Sequence, residues 1–189
     1  MLGYATVQLR SVYHSMLDTL GTNPTQLIGI LSFAAASVAC FVSGRQSALP
    51  EARTWEILAL INLLFLVEIF IGLRHRLHDL VVAILMADGK YNQRSSVQEI
   101  LFLLSAVIVL TFAATFFIWH KTSAGSANVA MGLTIAVSFL FAIETVSLHT
   151  VDAVLYRPIA SVMIIGWIWA IAACGIVVAA SYSAAVPQR

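Results

Sequence analysis

The sequence predicts an all-α integral membrane protein, a bundle of about five transmembrane helices preceded by an interfacial amphipathic helix. Three observations lead there. The 189 residues are 60% hydrophobic and only 10% charged, with a mean hydropathy of +0.93, whereas soluble domains carry about 25% charged residues. The 10 Lys and Arg and 9 Asp and Glu side chains are too few to cover a water-soluble globule of this length. Finally, apolar runs of the roughly 20 residues needed to cross a bilayer recur along the chain. This composition excludes a soluble enzyme and a disordered chain. A nucleic-acid binder is excluded too, since a net charge of +1 supplies no basic face.

Residues 1–22 precede the first long apolar run. Leu9, Val12, Tyr13, Met16, Leu17 and Leu20 recur at helical spacing, with Arg10, His14 and Asp18 four residues apart on another face. That pattern predicts an amphipathic helix lying in the membrane interface. Residues 23–189 then read as one transmembrane domain. The first span covers about 24–43, opened by Asn23-Pro24, where proline's missing N–H costs nothing. Gly44 suits its C-terminal cap. The second covers 50–73 and is expected to run on to about 87, where Asp88-Gly89 signals a turn. The third covers 97–120, with Ser96 and Glu99 spaced as a capping box. The fourth covers 128–149, and the fifth 158–183, with Pro158 at its first position.

In lipid, helices associate through close packing of small side chains. The first span offers Ser32, Ala36, Cys40 and Gly44, flanked by Ala35, Ala39 and Ser43. The fifth offers Gly166, Ala170 and Cys174, flanked by Gly175, Ala179 and Ser183. Trp55, Trp119 and Tyr156 fit interfacial belts, with Trp167 and Trp169 deeper. Both cysteines fall in or near apolar spans and read as free thiols behaving as small hydrophobes.

With five spans, Arg10, Arg74, Arg76, Lys90, Arg94 and Arg157 share one side and Arg45, Arg53, Lys121 and Arg189 the other. The excess favours an inner-membrane protein with its N-terminus cytoplasmic and its C-terminus outside.

The few ionisable residues gather at the same inner end. Glu68, His75, His78 and Asp79 lie toward that end of the second span, and Glu144, His149 and Asp152 toward that end of the fourth. On a continuous helix turning about 100° per residue, Glu68, His75 and Asp79 fall within about 40° of one another. His149 and Asp152 stand about 60° apart, with Glu144 about 140° from His149. An imidazole and carboxylate set of this kind, His75, His78, Asp79, His149 and Asp152, suits a transition metal, or a haem iron held between two histidines. Glu68 and Glu144, inside apolar runs, are candidates for a proton or ion pathway. Neither has a histidine three residues on, so the Glu-x-x-His pairs of di-iron bundles are absent.

Three functions stay open. The first is an accessory or structural subunit of a larger membrane complex, partnered by lipid and by other membrane subunits or copies of itself. The second is a metal- or haem-dependent redox enzyme. The third is an oligomeric transporter or channel. Short loops and the lack of a catalytic signature favour the first.

Overall fold

Helix content follows from the solvent. A backbone in hydrocarbon must satisfy its own polar groups, and a helix does so within one segment. The computed structural model describes residues 23–49, 51–72, 76, 94–120, 125–146 and 149–185. Its elements are α1 (Pro24–Gln46), α2 (Glu51–Ile71), α3 (Arg94–His120), α4 (Gly125–Val146), α5 (His149–Leu155), β1 (Pro158–Ile159), β2 (Val162–Met163) and α6 (Ile164–Ala185). Helices α1, α2, α4 and α6 are long and apolar enough to cross a membrane, so the protein is a helical membrane protein. Within α3 the described residues give a shorter apolar stretch, Ala106–Ile118. The expected amphipathic helix over 1–22 lies outside the described residues, as does the extension over 73–87 apart from Arg76.

Helix α1 lies between α2 and α6 and packs closely on both. Its buried residues, Thr25, Gly29, Phe33, Ala36, Cys40, Ser43 and Gly44, are mostly small. A Cβ added at Gly29 would stand 2.7 Å from Ile69 Cδ1 and 2.9 Å from the Trp169 ring. Gly44 is not the expected cap. The helix continues past it to Gln46, and Gly44 is buried, with the Ala52 carbonyl 3.3 Å from where its Cβ would be. Hydroxyls reinforce the contact: Ser37 Oγ donates to the Ala59 carbonyl at 2.9 Å, and Ser43 Oγ to the Ala180 carbonyl at 2.6 Å. Thr25 meets Gly166 and Ser43 meets Ala180, so α1 and α6 run parallel. Helix α4 packs on α6 and more lightly on α2, while α3 packs on α4.

Half of each small-residue ridge proves to be interior. On α1, Ala36, Cys40, Ser43 and Gly44 are buried, Ser32 and Ala39 are half-buried, and Ala35 is exposed. On α6, Gly166, Ala179 and Ser183 are buried, Ala170 and Gly175 half-buried and Cys174 exposed, so the strict Gly166, Ala170, Cys174 row leaves the core. A strict four-residue step rotates about 40° each time on a helix of 3.6 residues per turn. The buried seam, which includes Gly166, Trp169, Ala173, Ile176, Ala180 and Ser183, alternates steps of three and four and stays facing its neighbours. Both cysteines are free. Trp55 is a core residue at 0% exposure rather than a belt residue, and Trp169, expected to lie deeper, is buried at 3%.

Two further expectations are corrected. Pro158 opens a two-stranded antiparallel hairpin, with Pro158 paired to Met163 and Ile159 to Val162, and the last helix starts only at Ile164. The hairpin's two linking residues, Ala160 and Ser161, have φ of 51° and 67°, as a type I′ turn requires. Ser96 and Glu99 already lie inside α3, which begins by Arg94, so they do not cap its start. The fourth span is described as helix to Val146, and helix is described again over His149–Leu155 as α5.

The close approach at Gly29 yields a prediction. Gly29→Ala pushes against the rigid Trp169 ring and is expected to cost about 1–3 kcal/mol, read as a lower thermal midpoint in detergent. Gly132→Ala, where no atom lies within 4 Å of the added Cβ, should leave the midpoint unchanged or raised.

Candidate functional site

One end of the bundle gathers the N-terminus of α1, the C-termini of α2 and α4, helix α5, the hairpin and the start of α6. The Asn23 side chain accepts from Thr25 N at 3.0 Å and Gln26 N at 3.5 Å, which caps α1 with Pro24 in its first turn. Thr25 Oγ1 accepts from Met163 N at 2.9 Å, tying the hairpin to α1. Gln26 Nε2 donates to the Ile69 carbonyl at 3.2 Å, satisfying one of the carbonyls that the end of α2 leaves open. Trp167 Nε1 donates to the Ile159 carbonyl at 3.2 Å and holds the hairpin over the start of α6.

Helix α2 stops at Ile71 because Gly72 takes φ +65°, a conformation natural to glycine that ends a right-handed helix. Gly72 N donates to the Glu68 carbonyl at 2.7 Å as it does so. The expected continuous helix from Glu68 to Asp79 is therefore interrupted, and the rotation that placed Glu68, His75 and Asp79 on one face does not carry across Gly72. His75, His78 and Asp79 lie outside the described residues. His149 is the first residue of α5.

Glu68, Glu144 and Asp152 all belong to this end. Glu144 is 5% exposed, and its carboxylate accepts from Tyr156 Oη at 3.3 Å. Glu68 and Asp152 are half-buried. Asn62, nearly two turns before Glu68 on α2, does not serve it: its Nδ2 donates to the Leu58 carbonyl at 2.8 Å. Tyr156 is the residue that sequence reasoning missed. It sits 12 positions from Glu144, so no i, i+3 or i, i+4 spacing connects them. The remaining signal was general: a phenol near an apolar surface finds a polar partner.

One turn below the acids, each of the four core helices contributes one ring. Phe65 of α2 stacks on Phe141 of α4 with centroids 4.8 Å apart, and Phe141 stacks on Trp169 of α6 at 5.7 Å. Phe33 of α1 is tilted against all three, at 5.3, 6.0 and 6.3 Å. These are ordinary contact distances for aromatic pairs. Glu68 and Glu144 each follow their helix's ring by three residues, so both acids stand on the same side of the layer.

Among the described residues, no group of three or more His, Cys, Asp and Glu is placed to hold a metal ion. No family model, curated protein or solved structure matches this chain.

The partly buried contact between Tyr156 and Glu144 can be measured. Tyr156→Phe removes a hydrogen bond to an acid, which is expected to cost about 1.5–3 kcal/mol if the carboxylate is charged. Glu144→Gln keeps an acceptor for the phenol and should cost less, in the same detergent melt.

Proposed function

We propose that this membrane protein is an accessory subunit of a larger membrane complex, offering a polar site that opens at one end of a packed bundle. The observation that carries this reading is the ring layer formed by Phe33, Phe65, Phe141 and Trp169. Four rings in contact, one from each core helix, fill the middle of the bundle beneath Glu68 and Glu144. A proton or ion entering beside those acids meets aromatic carbon rather than polar groups, and crossing carbon of this kind costs several kcal/mol. That argues against a pathway through a single copy. It favours acids that bind or anchor something at one face.

The outer surface agrees with a subunit role. Helix α3 contributes Phe116 to the core but leaves Ile100, Leu103, Leu104, Val107, Ile108 and Leu110 exposed, an apolar face for lipid or a neighbouring helix. Purification in mild detergent followed by native mass measurement tests the proposal. A stable hetero- or homo-assembly is expected, and a solitary monomer across several mild detergents would overturn it. Elemental analysis and an optical spectrum on the same sample address the redox reading: stoichiometric metal or a haem band would shift the assignment to His75, His78, Asp79, His149 and Asp152.

Five crossings, with the N-terminus inside and the C-terminus outside, belong to the same proposal. Support comes from helix directions. Gln26 bonds to the end of α2, which places Ile69 beside the start of α1. Ala127 and Met131, at the start of α4, pack with Trp55 and Ile176 at the opposite end. The chain from α2 to α4 must therefore travel the length of the bundle, and the 27-residue α3 is the element available. Single cysteines at Ser47 and Gln188, introduced in place of both native thiols, should react with an impermeant reagent from the same, outer side. Labelling from opposite sides would exclude five crossings.

A further inference from the structure

The hairpin end of the bundle carries an exposed surface that packing within the chain leaves open. Its level in a bilayer follows from the length of α6. Its 22 residues, at a rise of about 1.5 Å each, span about 33 Å, and a hydrocarbon core is about 30 Å thick. Once α6 crosses, the hairpin just before it stands at head-group level. The backbone agrees, since a two-stranded ribbon leaves edge N–H and C=O groups open, and hydrocarbon does not tolerate them. Trp167, expected from the sequence to lie deep, is the fourth residue of α6 and so lies within about one turn of that boundary.

Several contacts fix the hairpin to the bundle. Val162 is buried, and a Cβ added at Gly166 would stand 3.0 Å from its Cγ1. Met163 N donates to Thr25 Oγ1, and the Trp167 indole donates to the Ile159 carbonyl. Ile164 N donates to the Arg157 carbonyl at 3.1 Å, which sets Arg157 opposite the first residue of α6. The outward side is mixed in character. Val154, Ile159 and Trp167 are 58%, 53% and 40% exposed, and Arg157 is exposed in the same stretch. Among the described residues, no carboxylate pairs with Arg157. Water does not favour the apolar part of this surface, and hydrocarbon does not take the charge. A phospholipid interface accommodates both.

We propose that this face binds the head-group layer of the bilayer, with the Arg157 guanidinium on the phosphodiester of an anionic phospholipid. Ile159 and Trp167 then lie among the glycerol and the first acyl carbons. Arginine suits the phosphate because its planar fork donates two parallel hydrogen bonds to one group. The indole N–H is spent on Ile159, so Trp167 offers lipid its ring. An anionic lipid is preferred over a zwitterionic one, because a choline cation competes with the guanidinium for the same phosphate. One arginine at a membrane surface is worth about fivefold in affinity.

Native mass spectra of the full chain in mild detergent, titrated with phosphatidylglycerol or phosphatidylcholine, test the proposal. Phosphatidylglycerol should bind about fivefold more tightly. Arg157→Gln should remove most of that preference and Arg157→Lys keep part of it, while Arg53→Gln, exposed at the far end of the bundle, leaves it in place. A preference that survives Arg157→Gln, or falls equally in Arg53→Gln, would overturn the assignment. Inorganic phosphate should displace no lipid; displacement would make Arg157 a site for soluble anions and refute the lipid reading. Depth is read separately, by tryptophan quenching in vesicles whose lipids carry bromine near the glycerol or near the methyl end of the chains. The quenching lost in Trp167→Phe should belong to the shallow label. Loss confined to the deep label, or no loss with either because another protein surface covers the ring, would overturn the proposal too.

Discussion

The narrowness of α1 is the constraint on which the rest of the bundle depends. Lipid is as apolar as the side chains it would displace, so burial alone does not drive these helices together. Close backbone approach does, and α1 permits it on two sides at once. Gly29 admits Ile69 and the Trp169 ring, Gly44 admits the backbone of Ala52, and Thr25 settles against Gly166. The same approach brings Ser37 and Ser43 within reach of carbonyls on α2 and α6. Dispersion and these hydroxyl bonds act together, because each is effective only at the short separations that small residues allow.

With α1 held between its neighbours, the ring layer becomes possible. Phe33 can touch Phe65, Phe141 and Trp169 only if α2, α4 and α6 close around α1's inner face. The layer divides the bundle chemically. On one side stand Glu68 and Glu144 with Tyr156, the hairpin and the capped start of α1. On the other stand Asn62 and Thr134 and then the alanine-rich cluster of Ala36, Ala127, Ala130, Ala173 and Ala180. At the far end Glu51 accepts from both Trp55 Nε1, at 3.3 Å, and Ser183 Oγ, at 3.2 Å, which joins the start of α2 to the end of α6. A polar clasp at each end and a packed aromatic middle describe a unit built to stay closed.

How far this was legible varies from residue to residue. The membrane-crossing helices α1, α2, α4 and α6 fall within a few residues of the expected spans, because length and apolarity are local properties. Asn23-Pro24 was read correctly as a helix start, since a cap acts over three or four residues. Arg157-Pro158 carries the same local signal and was misread: proline's fixed φ also suits a strand, and pairing Ile159 with Val162 decided the matter. Gly44 and Gly72 show the same ambiguity in reverse. Both looked like punctuation or passing residues, yet Gly44 is a packing contact and Gly72 the true helix end. For the site, the contact of Glu144 with Tyr156 joins residues 12 positions apart, which no local pattern announces.

The sequence by itself determined that the chain lives in a membrane and about where its helices run. Each of these follows from the cost of placing particular residues in hydrocarbon, which depends little on their neighbours. Only the tertiary structure decided which faces turn inward, that Trp55 and Trp169 are core, and that one ring from each of four helices meets in a single layer. Inside a bilayer the lipid-facing and protein-facing sides of a helix are almost equally apolar, so composition cannot tell them apart. The distinction comes from shape, and shape is expressed only when the helices meet.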